Sequence, residues 1–168
     1  MKNKKLLKII MSAMFAALVT GLTFFPKIPI PGGGYVHLGD TMIYIAATFL
    51  PMPYAMVAAA IGGSLADILS GFTAYAPFTF AAKALLTIAF SSKNNKILSK
   101  RNKFAPLSAI IITPAVYFIA DAVLYGTGAA AYGIIWNIAQ AAASIAVFYI
   151  IATAFDKMQF KSKLQNKF

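Results

Sequence analysis

Apolar residues fall in six runs, at roughly 6–25, 40–50, 54–70, 74–91, 104–125 and 128–155, with polar, proline-bearing or glycine-bearing breaks between them. A helix needs about 20 largely apolar residues, and not fewer than about 17, to cross the hydrocarbon core of a bilayer. The second run falls short unless its helix begins within 35-YVHLG-39, and Pro51 and Pro53 stop it sharply. The pattern predicts an all-α fold: an integral membrane bundle of six transmembrane helices whose second member is short or partly re-entrant. The first run, Leu6 to Phe25, is longer than the roughly 7–15 apolar residues of a signal peptide, and no clear small-x-small cleavage site closes it. An uncleaved first helix is expected.

Composition agrees. Hydrophobic residues make up 60% of the chain and charged ones 11%, against about 45–50% and about 25% in soluble domains. A single membrane domain over 1–168 accounts for the whole length. The absence of cysteine and the single histidine argue against a thiolate or His-rich metal centre, and no cofactor is expected.

The net charge of +11 raises the question of nucleic acid, but its distribution points elsewhere. All Lys and Arg except Lys27 and Lys83 sit in three blocks: Lys2, Lys4, Lys5 and Lys8; Lys93, Lys96, Lys100, Arg101 and Lys103; Lys157, Lys161, Lys163 and Lys167. Each abuts an apolar run, as the positive-inside rule requires. With six spans and a cytoplasmic N-terminus, all three blocks and the C-terminus share the cytoplasmic side. Five spans would put one block on the wrong face.

That orientation sorts the polar residues by depth, at about 1.5 Å per helical residue. Asp67 and Asp121 fall near the outer ends of the third and fifth spans, and Lys83 about two turns below the outer end of the fourth. Asn137 and Gln140 lie in the outer half of the sixth span. His37 and Asp40 lie in the outer loop and at the start of the second. A charged group at the bilayer centre costs about 2.5–3.5 kcal/mol, so such groups pair or face a wet cavity. Asp67 and Lys83, on a tight hairpin, are expected partners, either fixing that hairpin or lining a cavity wall. Asn137 and Gln140 share one helix face, suited to interhelical hydrogen bonds or to a ligand. Tyr117, Asp121 and Tyr125 follow one face of the fifth span, and Trp136 adjoins Asn137. An interfacial aromatic belt and the wall of a small-molecule pocket both account for these rings. Asp40 can serve as N-cap of the second helix and still stand at a pocket mouth. In 26-PKIPIPGGG-34, prolines set φ and glycines supply hinge freedom, the order a lid would use, although a plain connection has the same composition.

Ala13 with Ala17, Ala58 with Gly62 and Ala59 with Gly63 are small-xxx-small pairs that let helices approach closely. For the third span internal packing suffices. In the first span, a docking face for another membrane subunit is an equal reading. Enzymatic motifs are missing: 37-HLGD-40 lacks the first glycine and the partner acid of intramembrane aspartyl proteases, and Ser64 in 62-GGSL-65 does not fit a serine protease. Nor is there a GxxxxGK[ST] nucleotide loop. A carrier subunit that depends on others for energy is expected, not an enzyme.

The basic start with Ala13-xxx-Ala17, then 35-YVHLGDTMIY-44, 62-GGSLADILSGF-72, 75-YAPFTFAAKALL-86 and 137-NIAQ-140, resembles the substrate-binding S component of energy-coupling factor (ECF) transporters, in the branch with riboflavin-, hydroxymethylpyrimidine- and pyridoxine-type members. The resemblance covers nearly the whole chain. It implies a six-helix subunit that takes a vitamin or precursor from outside and docks through Ala13 and Ala17 on a shared membrane subunit coupled to two ATPases. In this reading the substrate contacts are His37, Asp40, Asp67, Tyr75, Lys83, Asp121, Tyr125, Trp136, Asn137 and Gln140. One departure is 135-IW-136, where relatives often carry Pro-Gly before the Asn of the sixth helix; Trp136 would reshape the pocket wall. The residues themselves favour a flat heteroaromatic ligand of pyrimidine or pyridine size bearing hydroxyls. Riboflavin is the alternative ligand, and a structural or assembly protein without ligand is the alternative class.

Overall fold

The structure, a computed structural model, describes residues 2–29 and 35–165. The glycine triplet at 32–34, read above as a hinge, and Lys167 of the third basic block lie outside the described residues. In chain order the elements are α1 (Lys2–Phe24), strands β1 (Lys27–Pro29) and β2 (Tyr35–His37), α2 (Gly39–Phe49), α3 (Met52–Leu69), α4 (Ala76–Ile88), α5 (Lys100–Phe104), α6 (Ala109–Tyr125), α7 (Thr127–Lys157) and α8 (Phe160–Gln165). One-turn 3-10 segments precede α4 and join α5 to α6. Among the described residues, four stretches are long and apolar enough to cross a membrane: Lys4–Phe24, Met52–Leu69, Lys100–Tyr125 and Thr127–Lys157.

α2, with eleven residues, is buried on nearly every side. Such a helix belongs in the middle of a bundle, and α1, α3, α4 and α7 all pack on it. Its Tyr44 stacks on Phe90 at 5.4 Å and meets the edge of Phe148 at 5.8 Å. Pro51 sits at its far end in extended geometry (ψ 144°) and starts α3.

Small residues set the closest helix approaches. A Cβ on Gly62 would lie 2.7 Å from the Ala16 carbonyl of α1, and the Thr20 hydroxyl donates to the Gly62 carbonyl at 2.9 Å. A Cβ on Gly63 would lie 2.8 Å from the Lys83 stem on α4. Internal packing thus explains the α3 pairs. Ala13 and Ala17 face outward from the bundle.

Two further features shape the ends. Gly126, at φ 91°, breaks α6 from α7, a conformation that side chains resist. The segment 26–34, read as a lid or a plain connection, carries the strand β1, which pairs antiparallel with β2: Lys27 with His37, Ile28 with Val36 and Pro29 with Tyr35. Prolines mask such short strands in a sequence, yet Pro29 sits on the exposed strand, where a missing N–H is tolerated. At the opposite end the Asp156 carboxylate accepts the backbone N–H groups of Ile97 and Leu98 at 2.7 and 2.9 Å. Lys161 of α8, buried against Phe49, donates to the Ser92 carbonyl at 3.0 Å. Burial there pushes its ammonium down to about 8.

Candidate functional site

Where α1, α3 and α6 end and α4 and α7 begin, the bundle opens into a cavity of about 490 Å³. The basic blocks lie at the other end of the same helices. β2 supplies one wall with Tyr35, Val36 and His37. The end of α3 supplies Asp67, and the turn into α4 supplies Phe72 and Tyr75. α6 adds Tyr117, Asp121 and Tyr125. α7 completes the enclosure with Ala129, Tyr132, Gly133, Trp136, Asn137 and Gln140. Such a volume suits a small molecule, and aromatic walls with a few polar groups suit a ring-bearing one.

Eight of the ten expected contacts line this cavity: His37, Asp67, Tyr75, Asp121, Tyr125, Trp136, Asn137 and Gln140. Asp40 and Lys83 do not. They form a buried ion pair at 2.6 Å, with both side chains removed from solvent. Two expectations are corrected by it. Lys83 pairs with Asp40 of α2 and not with Asp67 of the neighbouring helix, because Gly63 lets its stem cross α3 closely. Depth and adjacency along the chain favoured the hairpin partner, but a third helix reaches the ammonium first. Nor is Asp40 the N-cap of α2. Leu38 holds that position without a side-chain bond, and the Asp40 carboxylate, one residue inside the helix, turns to Lys83. A negative charge in the first turn also suits the helix dipole.

Gln140 joins the ion pair to the cavity. Its Nε2 donates to Asp40 Oδ2 and its Oε1 accepts the His37 backbone N–H, both at 3.3 Å. His37 is buried, and its Nδ1 accepts the Gly39 N–H at 3.0 Å. Burial, and then the charge of Lys83, hold its imidazole down to about 4, so it is neutral at physiological pH. Gly39 has no room for a side chain: its Cβ would meet Thr23 Oγ1 at 1.9 Å.

Each cavity carboxylate is held by a tyrosine from another element. Tyr35 donates to Asp67 Oδ1 at 3.0 Å, and Tyr75 to Asp121 Oδ1 at 2.5 Å. Burial, followed by the charge of Asp67, raises the Tyr35 phenol above its ordinary range and keeps it a donor. Asp67 Oδ2 is buried without a partner. Thr79 and Tyr117 share a hydrogen bond at 2.8 Å, and the Lys83 ammonium lies 5.5 Å from the Tyr117 ring.

Several wall residues were not among the expected contacts. Tyr132 stands at i, i+4 and i+8 with Trp136 and Gln140 on α7, a register visible in the sequence. Tyr35 lies two residues before His37, hence on the same face of a strand, but only once a strand is recognised there. Phe72 occupies a turn, where side-chain direction follows no period.

The family model of the ECF-type riboflavin transporter S component matches residues 3–157. The chain belongs to that family. It is thus a multi-pass membrane protein and an ECF S component, and the family is one of transporter subunits rather than enzymes. It is similar to the thiamine precursor transporter HmpT of Lactococcus lactis subsp. cremoris (strain MG1363), with 26% identity over 170 residues, covering 100% of this chain and 96% of the relative. It also resembles a solved structure described as the S component of a bacterial ECF transporter, at a TM-score of 0.70 and 20% identity, covering 94% of this chain and 98% of that one. The second likeness supports the fold.

Proposed function

We propose that this S component captures a small vitamin precursor of hydroxymethylpyrimidine or pyridoxine type from the extracellular side and delivers it with a shared transmembrane subunit and two ATPases. Six spans with both termini cytoplasmic go with this reading. The carrying observation is the cavity: a ring-lined space of about 490 Å³ at the end of the bundle remote from the basic blocks, with amides and carboxylates converging on it. The similarity to a thiamine precursor transporter supports the pyrimidine class. Riboflavin is the second reading, favoured by the family description and by a volume that is generous for a single six-membered ring. The outward Ala13 and Ala17 support docking of the coupling subunit on α1.

A thermal-shift series on the detergent-purified protein tests the ligand, using hydroxymethylpyrimidine, pyridoxine and riboflavin. A ligand in excess of its Kd raises the unfolding midpoint by mass action. A shift with one of the two single-ring compounds supports the first reading, and a shift with riboflavin alone supports the second. Absence of any shift, with no small mass retained in native mass spectrometry, removes both ligand readings.

A further inference from the structure

Two carboxylates, Asp67 and Asp121, line the cavity, and among the described residues no lysine or arginine does. The nearest buried cation, Lys83, is committed to Asp40 at 2.6 Å, and Gln140 bonds to that pair from the cavity wall. Lys27, on β1, is exposed; its ammonium donates to Ser70 and stands over the Phe24 and Tyr35 rings. His37, held down to about 4, brings no charge. Asp67 is 7% exposed and its Oδ2 has no partner. A desolvated carboxylate oxygen without a donor carries a penalty that a donor supplied from outside relieves.

The rings add a second, independent feature. Tyr35 meets Phe72 at 5.4 Å, Phe72 meets Tyr75 at 6.3 Å, and Tyr75 meets Tyr125 at 6.2 Å. This aromatic wall runs from the Tyr35–Asp67 bond to the Tyr75–Asp121 bond. Aromatic faces beside carboxylates are a receptor for a cation. Resting on the reading of the cavity as the ligand site, we propose that it selects a positively charged, amino-bearing pyrimidine or pyridine, with Asp67 Oδ2 accepting from the ligand nitrogen, and that it rejects phosphate esters. A phosphate would set its own negative charge against two carboxylates in a wall without a counter-cation.

The test is isothermal titration of the full-length protein in detergent with matched probes. Thiamine and pyridoxamine carry positive charge, pyridoxine and riboflavin carry no net charge, and thiamine monophosphate and pyridoxamine phosphate are the esters. At least one positive probe is expected to bind roughly 10-fold or more tightly than its phosphate ester and than either neutral compound, the scale of one charge-assisted hydrogen bond. Asp67→Asn and Asp121→Asn should each weaken that probe by about 10-fold. If either variant fails to fold, the wild-type ranking alone decides. Tightest binding of riboflavin, pyridoxine or a phosphate ester overturns the charge selection and leaves the transporter reading intact. No binding by any probe overturns the charge selection, and if hydroxymethylpyrimidine also gives no thermal shift the proposed ligand class falls with it.

Discussion

Lys83 and Asp40 illustrate how single charges survive inside this bundle. Their 2.6 Å contact compensates both, and removing one partner strands the other. Lys83→Met should therefore destabilise by about 3–5 kcal/mol, while the paired change with Asp40→Leu should recover most of that loss. Thermal unfolding in detergent reads both, and a Lys83→Met protein that melts like the wild type would contradict the pairing. His37 gives a pH prediction. Its folded value, about 4, lies below its ordinary 6.5, so the unfolded chain binds more protons in that window. Its stability contribution is present above about 6.5 and is lost as pH falls toward about 4. His37→Gln should flatten the fall in unfolding midpoint between about pH 7 and about pH 4.5; an unchanged slope would remove His37 as the cause.

Among the elements, the α1–α3 contact rests on a missing side chain. A Cβ on Gly62 of α3 would meet the Ala16 carbonyl and Val19, whereas Gly21, on α1, has nothing within 4 Å of its Cβ position. Gly62→Ala must push backbone apart and should cost about 1–3 kcal/mol. Gly21→Ala should be neutral or slightly stabilising, by about 0.5–1 kcal/mol, since alanine suits a helix better than glycine. Equal melting of the two variants would refute the close approach. Gly133 on α7 is a second glycine that permits a close approach, here in the cavity. A Cβ there would fall 2.6 Å from Asp121 Oδ2, so this glycine leaves room for the carboxylate that Tyr75 holds.

For the whole molecule, the basic blocks and the cavity lie at opposite ends of the bundle, and the proposed orientation puts the blocks inside the cell. The chain has no cysteine, so single cysteines report topology without background. Ala74→Cys, in the turn before α4, should react with an impermeant thiol reagent applied to intact cells. Asn95→Cys, between α4 and α5, should react only after permeabilisation; the reverse pattern would invert the bundle. Docking is read separately. Ala13→Trp, on the outward face of α1, should abolish uptake by the assembled transporter and leave ligand affinity of the isolated subunit within about 2-fold, since Ala13 is exposed and does not line the cavity.

Much of this was legible along the chain because lipid imposes strong rules on composition. Apolar runs marked the helices, clustered lysines marked one side, and costly polar residues marked the other. Trp136, Asn137 and Gln140 could be placed together because helical spacing orders neighbours on one element. What spacing along one element could not decide was which polar group meets which across the bundle. Lys83 reaches Asp40 instead of Asp67 because a gap at Gly63 lets its stem pass, and Tyr35 reaches Asp67 because a short hairpin turns it inward. Hydrophobicity and charge are local and additive, so sequence alone determined the membrane class and the end of the bundle bearing the cavity. Ion pairs, hydrogen-bond partners and the shape of the cavity depend on where three or four elements cross, and only the tertiary structure decided those.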